Sequence, residues 1–365
     1  MTAGKITVAI VFGGRSAEHE VSLQSAQNVI RSLDPERFTP VLIGIDRDGR
    51  WFLNEESIKL FHADNPKDIA LNVSSPQVGL IPNGPERQLV RMDNKEALGQ
   101  IDVLFPVLHG PYGEDGAVQG LAKMANLPCV GADVTASALG MDKDIMKRLL
   151  RDAGIHNAAF TTLYHWQKEW PIDEIEAQYG YPVFVKPSNM GSSIGVSRAS
   201  DKETLIQAIT HAFQFDQKVL VEQAVDGREL EVAILGNDQV MASSVGEIVT
   251  RDKFYSYESK YLDADATELN IPADISASQT ARIQATAIQL YQLLGCSGLA
   301  RVDMFLTPDD EIFINEINTL PGFTNISMYP KLWEHSGLSQ QSLVTQLIEL
   351  AIERFQQKHN LKVTR

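Results

Sequence analysis

Two short runs in the last third of the chain carry residues able to handle a metal-bound phosphate. Arg301-Val302-Asp303 opens one apolar run, Arg301–Leu306, and Asn315-Glu316-Ile317-Asn318 ends another that begins at Glu311. Thr307–Asp310 between them are turn formers, so the pair reads as a β-hairpin. Side chains two apart on a strand share a face. Arg301 and Asp303 therefore point one way, and Glu316 and Asn318 share a side. If Leu306 pairs with Glu311, Arg301 lies opposite Glu316, with Asp303 diagonal to it. Asp303, Glu316 and Asn318 are hard oxygen ligands of the kind magnesium takes when it also binds substrate phosphates. Arg301 adds a planar cationic fork suited to a phosphoryl or carboxylate oxygen. A salt-bridged exposed edge would use the same residues, and spacing alone leaves both readings open. Just beyond, Pro321 and Gly322 set a turn where a backbone can approach a ligand. Ser327 and Met328 follow, where a small substrate could sit.

The second candidate is the loop Lys186-Pro187-Ser188-Asn189-Met190-Gly191-Ser192-Ser193-Ile194-Gly195. Gly191 and Gly195 free the backbone, Ser192 and Ser193 add hydroxyls, and successive amides can cradle phosphate oxygens. It is not the P-loop pattern, because no lysine follows the second glycine, and Gly13-Gly14 does not complete a dinucleotide fingerprint. Lys143 and Lys186 could neutralise phosphates as point charges. Glu222 and Glu229 are candidates for a nucleotide base amino group and for ribose hydroxyls. Each also has an ordinary reading: a hairpin turn, a solvated lysine, a surface carboxylate.

The elements that must position these groups follow from the apolar pattern. Lys5–Phe12 reads as a strand ending in glycines, and Ser16–Leu33 as a helix or a loop leading into one. Val41–Ile45 is another apolar run. Asp102–Leu108 is a strand running into the loop His109–Gly116, and Ala117–Ala125 is helical. This rhythm suggests an α/β unit with a largely parallel sheet, ending near Gly131–Leu139. Asp142–Asp152 has helical spacing, with Ile145, Leu149 and Leu150 on one face. Pro182–Pro187 is a short strand and Asp201–Phe213 a helix. Val219–Gln223 and Glu229–Leu235 are strands separated by a turn at Asp226–Gly227, and Met241–Ile248 is another. Val249–Tyr261 has no period and is crowded with tyrosines and charges, as long loops serving a site often are. Ser278–Leu294 and about Gln340–Phe355 are amphipathic helices.

Composition bounds the possibilities. The 365 residues are 44% hydrophobic and 22% charged, which suits two or three globular domains. Ile6–Phe12 is too short for a membrane span and reads as a buried strand, so no membrane partner is expected. The formal net charge of -15 does not attract polyanions, so nucleic acid is not an expected partner. Cys129 and Cys296 have neither metal spacing nor a disulfide pattern, which suits a reducing interior.

Four motifs, in this order and spacing, carry a family resemblance. They are Gly13-Gly14-Arg15-Ser16-Ala17-Glu18-His19-Glu20-Val21-Ser22, His109-Gly110-Pro111-Tyr112-Gly113-Glu114-Asp115-Gly116, the Lys186–Gly195 loop, and Asn315-Glu316-Ile317-Asn318-Thr319-Leu320-Pro321-Gly322. With Arg301-Val302-Asp303 ahead of the last, they span nearly the whole chain. The chain resembles the ATP-grasp enzymes, and within them the D-alanine–D-alanine ligase family. The resemblance implies an α/β (α+β ATP-grasp) fold of three domains. Residues 1–137 would form a parallel-sheet domain carrying part of the amino-acid site. Residues 138–220 would be a lid, and residues 221–365 would carry the metal and second-substrate site. ATP would be gripped between two antiparallel sheets. Members join two D-alanine molecules through a D-alanyl phosphate, for peptidoglycan precursors. They use ATP with magnesium or manganese (two ions), and some respond to potassium. They are cytoplasmic and usually homodimeric.

Carried over by residue, Glu18 would bind the ammonium of the first D-alanine, with His109 near its carboxylate and Glu114 supporting the same loop. Lys143 and Lys186 would touch the ATP phosphates, under a lid at Ser192 and Ser193. Glu222 would meet the adenine side, Gln223, Ala224 and Val225 the base through their backbone, and Glu229 the ribose. Asp303, Glu316 and Asn318 would hold the metals. Arg301 and the backbone at Gly322 would meet the oxyanion, and Ser327 and Met328 the second D-alanine. Lys260 and Tyr261 belong to a segment resembling a mobile loop over the nucleotide. Tyr261 would reach Ser192 and, through it, Glu18, and its presence favours an amine as second substrate. Asn189-Met190 stands where other members often have charged residues, a difference that bears on lid closure. A D-alanine–D-lactate ligase, another ATP-dependent carboxylate–amine ligase and a nucleotide-binding regulator are the alternatives. No general base is evident.

Overall fold

The computed structural model describes residues 4–54, 71–82, 89–250 and 267–362. It begins with β1 (Ile6–Gly13), α1 (His19–Arg31), β2 (Phe38–Ile45) and β3 (Trp51–Leu53). A small antiparallel pair, β4 (Val78–Leu80) and β5 (Leu89–Arg91), precedes β6 (Val103–Val107) and α2 (Ala117–Met124). The main sheet has the order β3-β2-β1-β6, with β2, β1 and β6 parallel. β1 is apolar on both faces because both are covered, as in parallel sheets generally. Val8, Ile10 and Phe12 pack with Leu23, Ala26 and Val29 of α1. Ala9 and Val11 pack towards Val118 and Ala122 of α2.

Next come α3 (Val134–Met141), α4 (Lys143–Asp152), β7 (Phe160–Tyr164), α5 (Ile172–Tyr179), β8 (Val183–Pro187), β9 (Ser197–Ala199), α6 (Lys202–Ala212) and β10 (Lys218–Gln223). The second sheet is antiparallel, in the order β7-β10-β8-β9. With α5 and α6 it closes a small core of its own, built on residues such as Leu163, Val185, Leu205 and Val219. The third sheet is formed by β11 (Arg228–Gly236), β12 (Val240–Thr250), β13 (Thr267–Asn270), β14 (Gly298–Leu306) and β15 (Ile312–Asn318). It is antiparallel, in the order β13-β12-β11-β14-β15. The helix Ala277–Leu293 covers one face. The helices Met328–His335 and Gln340–His359 join the other to the first sheet, in a core that runs from Val8 and Phe12 to Trp333 and Leu347. The first and third units thus share a core, and the second keeps its own.

Packing redraws several sequence expectations. Position 137 falls inside α3, whose Ala136 packs with Met146 and Leu150 of α4 in the core of the third sheet. Position 220 falls inside β10, the strand that joins β7 to β8. The chain across Asp226–Gly227 does not turn a hairpin, because β10 and β11 lie in different sheets. The face expected for α4 is also wrong. Ile145 is exposed, whereas Lys143, Asp144 and Lys147 are buried with Met146 and Leu150. The inward side of this helix meets a polar cavity, so apolar spacing misreads it.

Candidate active site

The hairpin forms, but not in the expected register. Leu306 pairs with Ile312, not Glu311, and a bulge follows between Asp303 and Met304. Asp303 then faces Glu316, and Arg301 faces Asn318. The cause lies in the core: Ile312, Ile314 and Ile317 all pack inward, and only one extra residue lets Ile314 and Ile317 do so together. The bulge turns two consecutive side chains, Asn315 and Glu316, towards one cavity. A phase break in the apolar alternation was the signal for this.

Arg301 does not meet Glu316 across the hairpin. Its Nε and Nη2 donate to the two Asp303 oxygens at 2.7 and 2.6 Å, and Nε is 3.0 Å from Glu231. Asn318 Nδ2 donates to Asp303 at 3.0 Å. Burial opposes the guanidinium charge, but Asp303 and Glu231 hold its pKa well above the ordinary value. Asp303 and Glu316 stand opposite each other with Asn318 beside them, a set of oxygen donors whose chemistry fits a hard divalent ion.

The cavity, of about 430 Å³, lies between the second and third sheets. Three lysines line it: Lys143, Lys147 and Lys186. Lys143 Nζ donates to Met190 O at 2.8 Å and lies 3.3 Å from Glu316. Lys186 Nζ donates to Asn315 Oδ1 at 3.0 Å and lies 2.9 Å from Glu222. Lys147 Nζ is 3.3 Å from the other Glu222 oxygen. Burial pushes the Glu222 carboxyl up, yet Lys147 and Lys186 outweigh it and hold the pKa below the ordinary value. Burial dominates at Lys147, with Lys186 adding repulsion, and its pKa falls. At Lys186 burial is overcome by Glu222 and Glu316, and the pKa rises. Glu222 thus pairs with both lysines through its carboxylate. Gln223, Val225 and Glu229 line the same cavity, and Ala224 sits half-buried between the first two.

The glycine loop is folded down onto the first domain. Ser192 and Ser193 both adopt left-handed backbone angles, φ 51° and 59°. Such angles are costly outside glycine and collect at functional sites. Ser193 lines the cavity, whereas Ser192 Oγ donates to Glu18 Oε1. Asn189 anchors the loop through its backbone N and Nδ2, both donating to Asp216 Oδ2 at 2.7 and 3.0 Å.

Glu18, at the start of α1, is buried. Gly110 has φ +72°, and a Cβ there would stand 2.9 Å from Glu18 Oε2, so the close approach needs glycine. His109 is buried between Leu320 O, 3.2 Å from Nδ1, and Ser25 Oγ, 3.1 Å from Nε2. A carbonyl only accepts, so Nδ1 carries the proton and Nε2 accepts from Ser25. Burial depresses the His109 pKa and keeps the ring neutral, despite Glu18 nearby. Glu114 Oε2 accepts from Gly110 N at 3.2 Å. Burial, with Glu18 adding repulsion, raises the Glu114 pKa well above the ordinary value.

The turn after β15 is stitched to α1. Phe323 N donates to Ser25 Oγ at 3.1 Å, and Asn28 Nδ2 donates to Phe323 O at 2.7 Å. A Cβ at Gly322 would lie 2.8 Å from Ser327 Oγ, which itself accepts from Thr324 N at 2.9 Å. Met328 buries its side chain in the shared core, so any substrate contact there falls to its backbone in the first helical turn. Lys260 and Tyr261 lie outside the described residues. The sequence reading passed over Ser25, Asn28, Lys147, Glu231 and Asn315. Lys147 was findable, four residues after Lys143 on one helix face. Glu231 follows Glu229 at strand spacing. Ser25 and Asn28 carried no local signal, since Phe323, which both bond, is about 300 positions away.

Comparison with known proteins agrees with this architecture. Residues 7–132 match the family described as D-ala D-ala ligase N-terminus, and residues 149–349 the one described as D-ala D-ala ligase C-terminus. The chain belongs to the D-alanine–D-alanine ligase family. Its ATP-grasp fold is that of the D-alanine–D-alanine ligases: a parallel-sheet domain followed by two antiparallel sheets facing one cavity. The D-alanine–D-alanine ligase of Shouchella clausii is 54% identical over 359 residues, 98% of each chain. The D-alanine–D-alanine ligase A of Escherichia coli K12 is 52% identical over 361 residues, 99% of each. The solved D-alanine–D-alanine ligase from Coxiella burnetii has a TM-score of 0.84 at 37% identity, covering 97% of each chain. The VanG D-Ala:D-Ser ligase from Enterococcus faecalis has a TM-score of 0.85 at 37% identity, covering 95% of this chain and 100% of that one. Among the described residues no helix is long and apolar enough to cross a membrane.

Proposed function

We propose that this chain joins two D-alanine molecules into D-alanyl-D-alanine with ATP, releasing ADP and phosphate, as a step in peptidoglycan precursor synthesis. One observation supports this above the others. The loop over the lysine-lined cavity reaches the buried Glu18 through Ser192, so a phosphate site and an ammonium-binding carboxylate adjoin. Glu18 holds the ammonium of the first D-alanine, and neutral His109, bonded to Leu320 O and Ser25, fixes the wall beside it. Lys143 and Lys186 offset charge on the transferring phosphoryl group as that carboxylate attacks it. The product is an acyl phosphate, which the amine of the second D-alanine attacks beside Gly322 and Ser327. Arg301 and backbone amides near Gly322 stabilise the oxyanion, and phosphate leaves. The loop at Ser192 excludes water, which would otherwise hydrolyse the acyl phosphate.

Asp303, Glu316 and Asn318 would hold magnesium or manganese, two ions in this reading. Bound there, such ions would shield the phosphoryl oxygens. A homodimer and a cytoplasmic location complete the reading. The deciding test supplies ATP and magnesium with D-alanine alone, then with D-serine or D-lactate added, and identifies the product by mass spectrometry. The dipeptide with one phosphate per bond is expected. Preferential formation of a D-serine or D-lactate product, or phosphate without dipeptide, would overturn the assignment.

A further inference from the structure

Three carboxylates stand abreast across the third sheet. Glu231 on β11 pairs with Asp303 on β14, and Asp303 pairs with Glu316 on β15. Like charges directly opposite on neighbouring strands repel, so such a row needs cations set into it. Arg301, two residues before Asp303 and therefore on the same face of β14, supplies one. Its guanidinium lies between the first two carboxylates. Nε and Nη2 donate to the two oxygens of Asp303, and Nε is also 3.0 Å from Glu231 Oε2. Asp303 Oδ2 accepts from Asn318 as well. Both oxygens of Asp303 are thus committed to side chains, where a divalent ion would take at least one of them. Two cations that share one carboxylate compete for it, and a half-buried guanidinium gives way at low cost only if a second anion is at hand. Glu231 is that anion by position. Its side chain is 4% exposed against 19% for Arg301, so it is shut off from substrate and acts through the arginine.

We propose that Glu231 is a positioning residue: it takes over the Arg301 guanidinium when Asp303 turns to the metal, and so keeps the arginine aimed at the oxyanion. This rests on the roles proposed above for Asp303 and Arg301. The test is Glu231→Gln, which keeps the side-chain shape and removes the charge. Manganese affinity is measured by electron paramagnetic resonance on the full chain with a non-hydrolysable ATP analogue, and kcat and KM at saturating magnesium. Glu231→Gln should bind manganese about tenfold more weakly, because Arg301 then stays on Asp303. Its kcat should also fall about tenfold, with KM for D-alanine and the melting temperature close to wild type. In an Arg301→Gln background the same substitution should change neither manganese affinity nor kcat, since the guanidinium it acts through is gone. Glu231→Asp keeps the charge but is one methylene short of Nε, and should show both losses at smaller size. Wild-type manganese affinity and kcat in both Glu231 variants would overturn the proposal. So would equal losses in the Arg301→Gln background, which would mark a direct effect of charge on the metal. Full activity in Arg301→Gln alone would overturn the oxyanion role, and this proposal with it. An impaired Arg301→Gln beside a normal Glu231→Gln would overturn this proposal and leave that role standing.

Discussion

Two glutamates in the two halves of the site respond to burial in opposite ways. Glu114, beside the first-amino-acid region, is pushed well above the ordinary 4.5 by burial and by Glu18. Glu222, beside the nucleotide cavity, is held below 4.5, because Lys147 and Lys186 outweigh its burial. Desolvation disfavours charge at both, and the neighbours decide the sign. The amino-acid half is accordingly assembled from directed hydrogen bonds around a neutral histidine. The nucleotide half is a network of charges. A site that receives a polyphosphate needs surplus cations, and a lysine-rich pocket needs a carboxylate to stay folded before the phosphate arrives.

That contrast can be tested in graded steps. The largest expected effect is on the charged half: Glu316→Ala should lower kcat on the order of a thousandfold with little change in melting temperature. Activity near wild type at saturating magnesium would remove the metal role. Next is Glu222→Ala, which leaves Lys147 and Lys186 without their shared carboxylate. It should destabilise the fold by about 3 kcal/mol in urea unfolding. Lys147→Met should be much milder, since Glu222 keeps Lys186. Equal losses would show that the three groups do not act as described. In the hydrogen-bonded half, Ser192→Ala removes a donor to a carboxylate. It should lower kcat/KM for D-alanine about thirtyfold and leave nucleotide affinity unchanged. A matching loss of nucleotide affinity would place Ser192 with the phosphates instead.

The smallest effect is one of pH. Glu114 has a raised folded-state pKa, so the stability linked to its proton is complete below 4.5 and is lost as pH rises towards the folded value. Glu222 has a lowered one, so its contribution is present above 4.5 and is lost as pH falls through the folded value. Glu114→Gln should therefore gain melting temperature relative to wild type as pH climbs above 4.5, with little difference below it. A constant offset across pH would contradict the raised pKa.

How far this molecule was legible depends on the distance over which each contact is made. Strands β1, β6, β11, β12, β14 and β15, the glycine loop and the close placing of Asp303, Glu316 and Asn318 were readable, because their signals repeat every two residues or sit within one motif, whereas β3 and β13 were not. The register of the hairpin was not, although Ile314 and Ile317 broke the alternation one residue early. The buried face of α4 was misread because its inward side is charged. Short elements such as α3, β7 and α5 gave too few residues for a period to show.

The sequence alone determined which chemical groups are available and that the chain opens on a parallel-sheet unit, and its motifs, through the family they resemble, implied the antiparallel ones. Only the tertiary structure decided which groups meet. Ser192 and Glu18 are 174 positions apart, and His109 and Leu320 are 211. The physical reason is that local periodicity records burial against a neighbouring layer, whereas a polar contact between domains is fixed by how those layers dock. The same docking sets the charge of Glu114 and Glu222, since a carboxylate's pKa belongs to its surroundings and not to its place in the chain.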